Sequence, residues 1–182
     1  MSRIDIPATI DAAPQASRPL LEQVVKQLGS APNLFRLASR SPAALEGYLG
    51  LFGALGKGSL PAATRERIAL AIAEFNKCGY CLSAHTYLGA NLANLSAEEI
   101  AANRRGRSTD ARADAAVVFA VTVAESRGHV ADADLAEVRA AGYDDAQIIE
   151  IVQHVALNVW TNYLNSVART EIDFPVAEGI AA

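Results

Sequence analysis

The sequence predicts an all-α protein, and three observations carry that expectation. Alanine, the strongest helix former, is in large excess. Runs of Val, Ile, Thr and aromatic residues of the strand type are missing. Apolar residues instead fall into helical stripes whose ends are marked by Gly, Pro or a capping side chain. At 182 residues, 51% hydrophobic and 20% charged, the chain is long enough for one buried core. No low-complexity linker divides it, so a single domain over 1–182 is expected. A polar arm (1–16) precedes the domain's helices. A tail (172–182) follows them and holds Pro175 and Gly179, so it is expected to be non-helical.

Taken in order, Ser17 is placed to cap a first helix, with Pro19 in its opening turn and Leu20, Leu21, Val24, Val25 and Leu28 as its apolar stripe. Gly29 ends it. A short helix is expected from Asn33 to Ser39, and another from Pro42 to about Leu55. After the break at Gly56-Lys57-Gly58-Ser59, a helix with Ile68, Ala69, Ile72 and Ala73 inward should run to Phe75. The next should begin close to Cys78 and reach about Leu92. Ser96-Ala97-Glu98-Glu99 has capping-box spacing and opens a short helix. Longer ones follow from Asp110 to Ser126, from Asp132 or Asp134 to Ala141, and from Asp144 or Asp145 to about Arg169. The last is apolar around more of its circumference than a one-faced helix needs, so it either crosses the core or meets another subunit.

Several function classes find no support. A net charge of −4 and a pI near 5.4 do not supply the basic face that nucleic acid requires. Arg104-Arg105-Gly106-Arg107 is short and soon followed by Asp110, which fits a solvated loop. The N-terminus lacks the apolar segment of a secretory signal, and no run of about 20 apolar residues occurs. No membrane contact and a cytoplasmic location are therefore expected. Glycine-rich nucleotide-binding patterns are absent, and no organic cofactor or metal is expected.

The chemistry concentrates in one place. The only two cysteines form Cys78-Gly79-Tyr80-Cys81, with His85 four residues on and Glu66 twelve residues before. If a helix starts near Cys78, then Cys78, Cys81 and His85 share one stripe. Cys78 then lies at the helix N-terminus, which favours a thiolate there, whereas proximity to His85 favours Cys81. Which thiol attacks first stays open on these grounds. The helix ending at Phe75 and the one starting at Cys78 are joined by so short a link that they should pack antiparallel. Glu66 is then level with His85, and Glu74 stays near the tip. Two thiols, a base and an acid suit peroxide reduction, in which a thiolate cleaves the O–O bond and the second cysteine closes a disulfide.

The pattern Glu66-x11-Cys78-x2-Cys81-x3-His85 resembles the signature of the alkyl hydroperoxidase D and carboxymuconolactone decarboxylase superfamily. Asn33-Leu34-Phe35 with Ser41-Pro42, the stretch Leu70 to Gly89, and the final helix with Asn162 and Asn165 are similar to segments of its peroxidase-related members. The resemblance implies an all-α helical bundle with the CxxC at the N-terminus of a core helix in a helical hairpin, assembled as a trimer or hexamer. It implies that Cys81 is the peroxidatic thiol, that Cys78 resolves it and donates a proton, and that Glu66 and His85 form a proton relay. It also implies a small-molecule peroxide as substrate and a thiol or lipoyl-type reductant. Tyr80 departs from members that carry a histidine directly before the second cysteine, and a phenol is a poorer base than an imidazole. Tyr80 therefore stands as an accessory residue, either hydrogen-bonding at the site or packing.

Other readings compete. Cys78, Cys81 and His85 could form a zinc site with a fourth ligand, although no second CxxC or HxxxH completes a tetrahedron. They could serve general thiol–disulfide exchange, or the chain could be a lyase of the decarboxylase kind using Glu66 and His85 alone. Glu66 could simply pair with Arg65 or Arg67. His154, among apolar residues, reads as a core or interface histidine, and Trp160 and Tyr163 as core or interface aromatics.

Overall fold

A computed structural model describes residues 2–179, and the last three residues of the expected tail lie outside them, as does Met1. After a 3-10 turn at Gln15–Ser17, the helices are α1 (Arg18–Leu28), α2 (Asn33–Ala38), α3 (Pro42–Gly56), α4 (Ala62–Phe75), α5 (Gly79–Asn91), α6 (Ala97–Arg104), α7 (Ala111–Ser126), α8 (Asp132–Ala140) and α9 (Asp145–Ala168). Among the described residues there is no strand, and no helix is long and apolar enough to cross a membrane.

The bundle is organised around α4, whose Ile68, Leu70 and Ile72 are fully buried. Ile68 and Ile72 face α7 and α9, packing with Ala116, Phe119 and Ala120 and with Ile148, Ile151 and Val155. Leu70 and Ala73 face the other way, against Tyr80, Cys81 and Leu82 of α5 and Ile100 of α6. A helix apolar on two sides must sit between two layers, and the alanines at 69, 71 and 73 let its neighbours approach closely. Burying a leucine such as Leu70 stabilises the fold by about 2 kcal/mol.

The turn from α4 to α5 takes three residues, Asn76, Lys77 and Cys78. Lys77 adopts the left-handed region at φ 54°, an uncommon conformation for a side chain of this kind. The Lys77 N–H then donates to the Glu74 carbonyl at 2.9 Å, and the Cys78 N–H to the Ala73 carbonyl at 2.9 Å. These bonds satisfy the end of α4 and set the start of α5.

Two caps differ from expectation. Ser17 does not cap α1 with its side chain; its hydroxyl donates instead to the Ser39 carbonyl at 2.7 Å, tying α1 to the end of α2. Ser96 does accept from the Glu99 N–H at 3.1 Å, but the Glu99 carboxylate does not return to the cap. It is buried and accepts from Arg67 Nε, Asn103, Ser108 and both the N–H and hydroxyl of Thr109. One carboxylate thus fastens α4, α6 and the loop to α7, because a buried charge must find that many donors.

The arm runs over the bundle, where the Arg3 N–H donates to the Ala168 carbonyl at 2.6 Å and Arg36 donates to the carbonyls of Pro7 and Ala8. The described part of the tail is non-helical. Asp173 accepts from the Asn33 N–H at 2.7 Å and from the Tyr80 hydroxyl at 2.8 Å. The longest helix, α9, buries Ile148, Ile151 and Val155 on one side. On the other it leaves Ile149, Val152, Tyr163 and Val167 exposed, at 66%, 43%, 58% and 62%.

Burial opposes the charge of Glu99, but its hydrogen bonds prevail and hold the carboxyl well below the usual range. A depressed folded-state value stabilises the fold above the ordinary carboxylate pKa, and that stability is lost as pH falls. Glu99→Gln should therefore lower the melting temperature at neutral pH, at a cost of about 1–3 kcal/mol as the half-buried Arg67 loses its charged partner. The deficit should narrow in acid, which thermal melts across pH will read.

Candidate functional site

Cys78 is the N-cap of α5, and its sulfur accepts from the Cys81 N–H at 3.4 Å. A thiol here performs the task usually given to Ser or Asp. Cys81 sits in the first turn of α5, where free backbone N–H groups and the helix dipole favour a thiolate. Both cysteines are buried, 3% exposed each, and both are free thiols. One turn further on, His85 Nδ1 meets Glu66 Oε2 at 2.8 Å across the α4–α5 hairpin. Glu66 thus pairs with His85, whereas Arg67 pairs with Glu99. Glu74, at the tip, pairs with Arg104.

The electrostatics separate the two thiols. The hydrogen bond between the cysteines is the largest influence on Cys81, and it lowers the thiol. Burial opposes it, but the charge of His85 and the amides of Asn165 and Asn162 add to it, and the Cys81 thiol is lowered to about 6. Cys78 is pushed far up by the same hydrogen bond, with burial adding to it, so it keeps its proton. Burial works against protonation of His85, but the Glu66 carboxylate outweighs it and the imidazole is raised above its usual value. The group that results is a thiolate at Cys81, a protonated thiol at Cys78, and an imidazole biased toward its cation.

The residues named from sequence are therefore brought together, and Tyr80 receives a definite place. Its hydroxyl accepts from the Leu34 N–H at 3.1 Å and donates to Asp173, while its ring meets Phe174 edge-on with centroids 5.9 Å apart. Burial and then Asp173 drive its phenol up, so it cannot act as a base. Tyr80 is a clamp that holds α2 and the tail over the start of α5.

Two further groups come from α9. Asn165 Nδ2 donates to Cys81 Sγ at 3.3 Å, and Asn162 accepts from Asn76 at 2.9 Å at the hairpin turn. Their sequence signal was available: buried asparagines at 158, 162 and 165 interrupt an otherwise apolar helix along one stripe. His154 also departs from a simple core residue, because it lines the same cavity as Cys81. That cavity has a volume of 150 Å³, with Glu66 and His85 on its wall and Leu34, Tyr48, Phe52 and Leu157 forming its apolar body. Among the described residues, no group of three or more His, Cys, Asp or Glu side chains is placed to hold a metal ion.

Residues 42–126 match the Carboxymuconolactone decarboxylase family. That span contains the hairpin with Glu66, Cys78, Cys81 and His85. Among solved structures, the chain is similar to an uncharacterized peroxidase-related protein from Silicibacter sp. TM1040, at 25% identity and a TM-score of 0.80 over 93% of this chain and 91% of the other. A second similar structure is an uncharacterized peroxidase-related protein with an alkylhydroperoxidase AhpD core from Ralstonia eutropha JMP134. The identity is 25% and the TM-score 0.83, over 94% and 92% of the two chains. The debrominase Bmp8, seen in complex with 2,3,4-tribromopyrrole, shares the fold at 21% identity and a TM-score of 0.77, over 92% and 90%. No curated protein matches the chain.

Asn165 stabilises the thiolate form of Cys81. Asn165→Ala should move the midpoint of Cys81 alkylation by iodoacetamide upward by about one unit, the worth of a charge-assisted hydrogen bond. An unchanged midpoint in a folded variant would remove Asn165 from the site.

Proposed function

We propose that the chain, which matches the Carboxymuconolactone decarboxylase family over residues 42–126 and shares its fold with peroxidase-related proteins of the AhpD type, is a thiol-dependent peroxidase. In this reading it reduces a small peroxide through a Cys78–Cys81 dithiol–disulfide cycle. The observation that carries the proposal is geometric: two free thiols sit together at the start of α5, one turn from the Glu66–His85 contact, and Cys81 is the one drawn toward the thiolate. A peroxidatic cysteine must be a thiolate, and a second thiol within reach closes the disulfide.

The steps balance as follows. The Cys81 thiolate attacks the terminal oxygen of R–O–O–H, forming an S–O bond as the O–O bond breaks, and Cys81 becomes a sulfenic acid. The departing R–O⁻ takes the proton held by His85, which Glu66 keeps poised. Cys78 sulfur then displaces the sulfenic hydroxyl, its own proton leaving with that group as water, and the disulfide forms. An external dithiol of the thiol or lipoyl type returns the two electrons. Both sulfurs are buried, which favours a small peroxide over a protein disulfide as the oxidant.

The same proposal includes assembly of identical subunits through α9, whose Ile149, Val152, Tyr163 and Val167 form an exposed apolar face. In sedimentation, the protein should run well above the 19.2 kDa of one chain. Val152→Asp with Tyr163→Asp should shift it toward that mass.

Cys81→Ser should abolish peroxide-dependent loss of free thiols, and full turnover in that variant would overturn the proposal. Cys78→Ser should complete one turnover and leave a sulfenic acid on Cys81 that dimedone captures. The rate should rise with pH through about 6 as Cys81 ionises. Glu66→Gln should slow the reaction at neutral pH by about tenfold or more, as loss of an acid–base partner does.

A further inference from the structure

The cavity beside Cys81 is lined by polar groups that peroxide chemistry uses, Cys81, Glu66 and His85, and by others that it does not, among them Arg65 and His154. Asn165 donates to the Cys81 sulfur. His154 and Arg65 also line the cavity, and Arg65 is the residue before Glu66, which meets His85 one turn of α5 beyond Cys81. The register of α4 against α9 places Arg65 beside His154. The Leu60 N–H donates to Glu150 at 3.0 Å, and Asn76 donates to Asn162 at 2.9 Å. Numbers rise together on both helices, so they run parallel, and Arg65 and Glu66 fall level with His154.

Neither Arg65 nor His154 is fully engaged there. His154 is 6% exposed, and its Nε2 is buried without a hydrogen-bond partner. A buried ring nitrogen left unpaired is costly. Arg65 uses Nη1 to hold the carbonyls of Leu60, Gly56 and Leu55 at 3.1 to 3.5 Å. Among the described residues it forms no ion pair. Burial, with the Arg65 charge behind it, outweighs the pull of the Glu150 and Glu66 carboxylates and lowers His154 to about 4, so its imidazole is neutral and has one N–H to offer beside the guanidinium. The apolar part of the wall is formed by Leu34, Tyr48, Phe52 and Leu157.

We propose that the cavity takes an organic hydroperoxide with an apolar body and a carboxylate separate from its O–O bond, the carboxylate being held by Arg65 and His154. This rests on the peroxidase reading for Cys81 and names the substrate class for that site. Arg65 supplies the charge and His154 a hydrogen bond, so holding the carboxylate orients the O–O bond toward the sulfur.

The test separates binding from turnover. Benzoate and its neutral counterpart benzamide serve as probes, titrated calorimetrically into the reduced protein. Benzoate should bind about tenfold or more tightly than benzamide, as a charge-assisted contact requires, and the advantage should vanish in Arg65→Gln and in His154→Leu. Arg65 also closes the end of α3, so His154→Leu carries the test if Arg65→Gln does not fold. In kinetics, cumene hydroperoxide with a para-carboxylate should show a lower KM than cumene hydroperoxide itself, and His154→Leu should erase that difference. Equal binding of benzoate and benzamide, or a preference indifferent to His154→Leu, would overturn the carboxylate site. Benzoate binding as expected without peroxide turnover would instead leave that site standing and count against the peroxidase.

Discussion

Everything at the centre of this protein depends on the contact between Glu66 and His85 across the α4–α5 hairpin. At 2.8 Å, it joins a side chain near the start of α4 to one in the middle of α5. It holds His85 toward its cationic form against the pull of burial. The imidazole in turn lowers the Cys81 thiol. Such a half-buried pair adds little to stability. Its value is geometric, since it keeps a charge one helical turn from a sulfur that needs one.

Helix α9 supplies what the hairpin lacks. Its buried amides reach the thiolate side of the hairpin, with Asn165 on the Cys81 sulfur and Asn162 on Asn76 at the turn. His154 and Glu150 reach the opposite end, where Glu150 fixes the loop before α4 through Ser59 and Leu60. One helix therefore sets both the electrostatics of the sulfur and part of the wall of the cavity beside it. The tail completes the enclosure through Asp173 and Phe174, which Tyr80 clamps from inside.

The helices and the hairpin were legible because local signals agreed. Stripes of apolar residues lay between Gly, Pro and capping residues, and a short link forced Glu66 level with His85. Local rules failed where a side chain had a better partner far away in sequence. Ser17 left its cap for the Ser39 carbonyl, and Glu99 left its capping box for Arg67, Ser108 and Thr109. Sequence left the order of the thiols open, since helix position favoured Cys78 and nearness to His85 favoured Cys81. The structure adds that Cys78 takes the N-cap role, its sulfur accepting from the Cys81 N–H, and the hydrogen bond between the two thiols favours Cys81 as the thiolate. The contact of Asn165 with Cys81 and the place of His154 in the cavity needed the packing of α9 on the hairpin, which no local pattern contains.

The most direct test of this account is a pH titration of the reduced protein followed by the ultraviolet absorbance of the thiolate. The account predicts that one thiolate appears with a midpoint near 6 and disappears in Cys81→Ser. The second thiol should stay protonated well into the alkaline range. Two thiols ionising together in the ordinary cysteine range, indifferent to which one is replaced, would contradict it.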